Sequence, residues 1–190
     1  YIMGIIGENG AGKTTFFRYI MEEKKHYRGS FYLDGTDIAE AHAWSMNRIG
    51  FVSEERLFLR QKSARENAKM LGSFYDTFDI ERFAALMEQM NLTTARTIGQ
   101  MSRGENMKFQ LAFTLAHKPR LLLLDEPTNQ GWIRSSARSF TGCSGSNWRC
   151  LIARSSCPRI WRMISKKSLI ISDGLSMGNL LRFMRIHKVF

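Results

Sequence analysis

Apolar positions along the chain fall into two kinds of run. The first is continuous and short. Tyr1 to Ile6 and Leu121-Leu122-Leu123-Leu124 are unbroken apolar stretches, which fit strands of a parallel sheet buried on both faces. Arg48-Ile49-Gly50-Phe51-Val52 reads as a further strand, with Ser53-Glu54-Glu55 leaving its end. Gly29 to Gly35 reads as a short strand closing on an Asp34-Gly35 turn. The second kind is periodic. A helix is expected over about 14–23, and the span from about Ala64 to Met90 repeats at intervals of three and four through Phe78, Ile80, Phe83, Leu86, Met87 and Met90. That stripe of Phe and Met is read as helical core rather than a cofactor contact. A last helix runs through His117, where Pro119 closes it off. Strands alternating with helices predict an α/β fold around a parallel sheet. No apolar run approaches the ~20 residues that span a bilayer, and no secretory signal is visible.

The first strand runs directly into Gly7-Glu8-Asn9-Gly10-Ala11-Gly12-Lys13-Thr14, which has the spacing of a phosphate-binding P-loop between a strand and a helix. Its glycines let the backbone curl until several N–H groups point at one anion. Lys13 adds a mobile positive charge for the outer phosphates, and the Thr14 hydroxyl is placed to ligate Mg²⁺. The following helix aims its positive end at the same spot. A plain Gly-rich turn ahead of a helix is the blander reading, and the flanking strand and helix weigh against it. The four leucines end in Asp125-Glu126-Pro127-Thr128, delivering two acids to the carboxyl edge where open α/β sheets bind ligands. Asp125 would hold Mg²⁺ through water and Glu126 would polarise an attacking water.

Between these two motifs stands Met101-Ser102-Arg103-Gly104-Glu105. The ordered set of three resembles an ATP-binding cassette (ABC) ATPase, and the resemblance covers residues 1–129. It implies a P-loop NTPase with a RecA-like core, a small antiparallel β subdomain around 27–38 and an inserted helical subdomain at about 56–103. It implies ATP and Mg²⁺ as ligands: Gly7, Glu8, Asn9, Gly10, Ala11, Gly12, Lys13, Thr14 and Thr15 around the phosphates, Thr14, Asp125 and Glu54 about the metal, and Glu126 as the catalytic residue. ATP in that family lies between two subunits, so Ser102 and Gly104 would serve the nucleotide of a second ATPase subunit, in a homodimer or heterodimer. The further partner implied is a separate transmembrane permease docked on the helical subdomain. That arrangement would hold the chain on the cytoplasmic face of the cell membrane, with no nucleic acid as partner. The alternative is a soluble ABC-type ATPase acting on ribosomes or nucleic acid. Those usually carry two cassettes or a long coiled coil, and the short span from Glu54 to Ser102 is of the transporter kind. Three departures stand out. The usual signature is Leu-Ser-Gly-Gly-Gln, so Met101, Arg103 and Glu105 differ; Arg103 could add charge toward a γ-phosphate, and a plain surface arginine is the equal alternative. Glu54 stands where a glutamine is expected, and a carboxylate accepts but cannot donate a hydrogen bond. The adenine-stacking aromatic would precede Tyr1. The chain opens on Tyr1 without an initiator methionine and enters at once the strand before the loop, so it reads as a fragment missing earlier strands, and its substitutions resemble those of small prokaryotic exporter ATPases.

Charge divides the chain in two. Residues 1–129 hold 17 Lys/Arg against 16 Asp/Glu, whereas residues 130–190 hold 11 Lys/Arg against Asp173 alone, so nearly all of the net +11 sits in the last third. That third also holds Cys143, Cys150 and Cys157, three of the four tryptophans and 11 serines. The D-loop and the strand ending in Ser-Thr-His that follow in the family are missing. Codon structure offers a reason. Trp is TGG and Ile begins AT, so the frame one base upstream reads aspartate across Trp132-Ile133 and permits Gly-Leu-Asp-Pro there. The same shift across Cys157 to Trp161 permits Ser-Thr-His-Met, and across Ile164 to Ile171 an acidic amphipathic helix. Residues from about 129 onward are thus expected to be out-of-frame peptide without a native fold, and this chain to bind ATP weakly and hydrolyse little. A basic tail for nucleic acid or anionic lipid is the rival. A zinc site is disfavoured, because equal seven-residue cysteine spacing lacks the usual close pair.

Overall fold

The computed structural model describes residues 2–6, 10–21, 29–55 and 57–125, and adds the strands at 149–154 and 168–171, whose backbone alone is described, as it is for 2–4 and 6. Five parallel strands form the main sheet in the order β4 (Ile49–Val52), β5 (Leu121–Asp125), β6 (Arg149–Arg154), β1 (Ile2–Ile6) and β7 (Ser168–Ile171). A separate hairpin joins β2 (Tyr32–Leu33) to β3 (Thr36–Asp37). Asp34 and Gly35 both take positive φ, 51° and 87°, as a two-residue hairpin turn of the primed type requires.

The leucine run explains the layering. Leu122 and Leu124 pack into one buried cluster and Leu123 into another, as successive residues of a strand covered on both faces must. The Leu123 face is covered by α1 (Lys13–Ile20) through Phe16, Phe17 and Ile20, with Phe31, Leu33 and Ile38 from the hairpin region. The opposite face is covered by α3 (Ala64–Gly72), α4 (Ile80–Gln89) and α5 (Arg103–Ala116). Here Phe58, Tyr75, Phe78, Phe83, Phe109 and Phe113 meet mostly edge to face or tilted, an arrangement that aromatic quadrupoles favour. Both α3 and α5 begin with a capping box, Ser63 with Glu66 and Ser102 with Glu105. The chain segments leading into them are tied by an antiparallel bridge between Ser63 and Thr97. Buried Asn67 holds the loop before α3, its Oδ1 accepting the Leu59 N–H at 2.9 Å and its amide donating to the Leu59 carbonyl at 3.0 Å.

Three features depart from the sequence reading. A short helix α2 (His42–Met46) precedes β4, where no helix is expected. The single helical span from Ala64 to Met90 is two helices. The first stops at Gly72, where a Cβ would lie 2.5 Å from the ring of Phe78, and Asp79 caps the second by accepting the Arg82 N–H at 2.9 Å. Phe83, Leu86, Met87 and Met90 are buried as the stripe predicts, while Ile80 is exposed. Finally, the expectation of no native fold beyond residue 129 is narrowed by the ten residues of β6 and β7. Their apolar runs, Leu151-Ile152-Ala153 and Leu169-Ile170-Ile171, supply both hydrogen-bonded neighbours of β1, a central strand whose backbone groups need partners on either side.

Candidate nucleotide site

Strand β1 ends at Ile6 and α1 begins at Lys13. Gly10 and Gly12 both have φ of 87°, the left-handed region that residues with a Cβ avoid, and Gly12 is the N-cap of α1. Among the described residues no side chain caps this helix, and the Gly12 carbonyl accepts the Phe16 N–H at 2.8 Å. The orientation of α1 is fixed from its other side by buried Phe16, Phe17 and Ile20. Lys13 is only 7% exposed, Thr14 and Thr15 are half-buried, and Ala11 is exposed. Gly7, Glu8 and Asn9 lie outside the described residues.

Asp125 is the last residue of β5 and is buried. It lies in register with Ala153 of β6, which lies in register with Ile5 of β1. Asp125 and the start of the phosphate loop are therefore at one level of the same sheet edge, two strand spacings or ~10 Å apart. Val52 pairs with Leu124, so β4 also hands its chain over at this level, into Ser53 and Glu54. The Thr14 hydroxyl and the Asp125 carboxylate are hard oxygen donors that suit Mg²⁺. Among the described residues no three His, Cys, Asp or Glu gather into a metal cage. That donor set fits an ion held by one or two carboxylates and completed by phosphates. Glu126, expected to act on water, lies outside the described residues.

The segment after β4 is held from three sides. Gln110, buried in α5, accepts the Ser53 N–H at 3.2 Å through Oε1 and donates to the Glu55 carbonyl at 3.4 Å through Nε2. Glu55 forms an ion pair with Arg18 of α1, and Glu54 one with Arg103 at the start of α5. A cavity of about 340 Å³ opens beside this segment, with Glu54, Phe58, Met101, Arg103 and Gln110 on its wall. The sequence reading found Glu54 but not Gln110 or Arg18. For Gln110 a signal existed, a polar residue within the apolar run Phe109 to Phe113. For Arg18 there was none.

Ser102 and Gly104 lie exposed at the first turn of α5. The Ser102 Oγ accepts the Glu105 N–H at 3.3 Å, and the Ser102 N–H donates to Glu105 Oε2 at 2.8 Å. Glu105 Oε1 also meets Arg96 Nη1 at 2.7 Å. These contacts, the Ser102 backbone N–H first, hold the Glu105 carboxyl below its usual range. The unusual Glu105 of the signature thus fixes the turn on which Ser102 is displayed. Arg103 is engaged with Glu54.

The ABC transporter family model matches residues 1–129. Among curated relatives, the ATP-binding protein NatA of Bacillus subtilis is 34% identical over 146 residues, covering 71% of this chain and 57% of its own length. The lipopolysaccharide export ATP-binding protein LptB of Escherichia coli K12 is 33% identical over 134 residues, covering 66% and 56%. The chain spans about half the length of such relatives. Among solved structures, an ABC transporter ATP-binding protein from Pyrococcus furiosus superposes with a TM-score of 0.71 at 20% identity, over 90% of this chain and 83% of that one. A dimeric ATP-binding cassette in a post-hydrolysis state with ADP and Pi gives 0.68 at 20% identity, over 82% and 75%. At these identities the superpositions speak for the fold. No helix among the described residues is long and apolar enough to cross a membrane.

Proposed function

The chain belongs to the ABC transporter family, and from that premise we propose that it is the ATP-binding subunit of an exporter, of the kind that couples ATP binding and hydrolysis at a dimer interface to transport by a separate membrane permease, in an impaired copy that binds ATP weakly and hydrolyses little. The observation that carries this reading is the buried Lys13 behind the left-handed Gly12, at the same sheet edge as buried Asp125. Residues 7–15 surround the phosphates of ATP, and Thr14 and Asp125 hold Mg²⁺, with Glu54 contributing. Bound Mg²⁺ neutralises phosphate charge. Glu126 orients water, and Ser102 with Gly104 meets the nucleotide of a second subunit. The permease docks on the helical subdomain, where Leu57, Leu59, Met70 and Phe74 are exposed, and keeps the chain at the cytoplasmic membrane face. Titration with a fluorescent ATP analogue tests the site. The chain binds in the presence of Mg²⁺, and Lys13→Ala weakens binding at least about tenfold, as loss of a charge-assisted phosphate contact requires. Equal binding by both would remove the reading.

We further propose that residues beyond about 129 are the out-of-frame product of an ordinary ABC ATPase half. The family match and the charge balance both stop at residue 129, and the recoverable Gly-Leu-Asp-Pro and Ser-Thr-His-Met fall where the family carries them. Sequencing the coding DNA decides this: absence of GAT within a Gly-Leu-Asp-Pro reading, or of a histidine codon spanning Arg159-Ile160, rejects it.

A further inference from the structure

Two of the residues at which this chain departs from the usual ABC pattern touch each other. Glu54 replaces the expected glutamine, Arg103 replaces a signature glycine, and Arg103 Nη2 is ion-paired with Glu54 Oε2. Helix stability does not account for Arg103. It is the first residue of α5, where positive charge opposes the helix dipole. Folding stability does not account for the pair either. The Arg103 side chain is 64% exposed and that of Glu54 31%, a setting in which ion pairs contribute little. What the pair supplies is position. Through Gln110 and the Arg18–Glu55 pair, the same three-residue segment also grips α5 and the P-loop helix. Ser53 to Glu55 therefore joins the turn that binds this subunit's phosphates to the turn displaying Ser102.

Resting on the nucleotide reading above, we propose that Arg103 and nucleotide-bound Mg²⁺ compete for the Glu54 carboxylate, so that the ion pair is a latch opened when Mg²⁺ arrives with nucleotide. A carboxylate, unlike the usual amide, can take either cation, and a compact divalent ion outcompetes an exposed guanidinium for it. Both side chains line the 340 Å³ cavity, which gives the released Arg103 room to turn. Once released, its guanidinium is available to the phosphate held by a second subunit, so one site reports its occupancy to the other.

The test is titration with a fluorescent ADP analogue, which has no γ-phosphate for a second subunit to grasp, in Mg²⁺ and in excess EDTA. The readout is the gain in affinity that Mg²⁺ confers. Arg103→Gln is expected to raise that gain about two- to fivefold, the range of an exposed ion pair, leaving binding in EDTA unchanged. Arg103→Lys should stay near the parent. In the Glu54→Gln background, removing Arg103 should have no effect. A gain identical in the parent and Arg103→Gln overturns the latch, as does an effect of Arg103→Gln that persists without Glu54. Failure of every variant to bind nucleotide under either condition overturns the nucleotide reading itself, and the latch with it.

Discussion

His117 shows what one buried residue imposes on the whole fold. It closes α5, lies 1% exposed, and stacks on Tyr75 with ring centroids 4.3 Å apart. Among the described residues its Nδ1 has no hydrogen-bond partner, and burial lowers its pKa to about 4. The unfolded chain, with an ordinary imidazole near 6.5, therefore takes up a proton that the folded chain refuses. Stability is complete above that value and declines as pH falls from about 6.5 toward 4. Unfolding by urea at pH 7 and pH 5 should show a loss of about 2 kcal/mol. His117→Phe, which keeps a ring against Tyr75, should abolish most of that loss. At the same scale, Ser102→Ala removes the cap of α5 and should cost about 1 kcal/mol in the same measurement, apart from any effect on nucleotide.

Between elements, the instructive place is the break between α3 and α4. Apolar residues at helical spacing do not themselves say where a helix stops, because the intervals of three and four run on across the gap. The stop is tertiary: Phe78 folds back onto Gly72, and Asp79 restarts the helix. Gly72→Ala should place a methyl group against that ring and cost ~1–3 kcal/mol. Phe78→Leu in the same chain should recover part of it, so the urea midpoints of the double variant should fall short of additivity. The Gly72-Ser73 pair and Asp79 were readable as breaker and cap. Helix α2 was less so, since its five residues bury only Ser45 and it has neither a side-chain cap nor an acidic first turn. The site divides in the same way. Gly10 to Thr15 and Asp125 were legible as candidates because phosphate and metal chemistry demands particular residues at close spacing, and Ser102 as one through the family resemblance. The clamp by Gln110 and the ion pairs of Arg18 and Arg103 were not. They join residues 37 to 57 positions apart, and only the packing of α5 over β4 brings those together.

For the molecule as a whole, the sheet order sets a dependence that the motifs conceal. All the chemistry expected of this chain lies in residues 1–129, yet β1, the strand that aims the phosphate loop, is flanked on both sides by strands from beyond that point. Strand β6 also fills the place between β1 and β5, and so holds Asp125 at its distance from the loop. A chain ending at residue 129 keeps the P-loop glycines, Lys13, Asp125 and Ser102, but leaves β1 without hydrogen-bonded neighbours and opens a strand-wide gap in the middle of the sheet. Buried backbone groups without partners are costly enough to undo an edge of this kind. The truncated chain should therefore lose nucleotide binding altogether in the titration that the full chain passes. Its helical half, α3 to α5 around the phenylalanine cluster, rests on contacts within residues 52–124 and should retain helical circular dichroism. If the truncated chain binds nucleotide as well as the full chain, β6 and β7 contribute nothing to aiming the loop. If the full chain binds and the truncated one does not, the basic last third supplies the two strands that hold the phosphate loop in place, whatever the frame in which it was written.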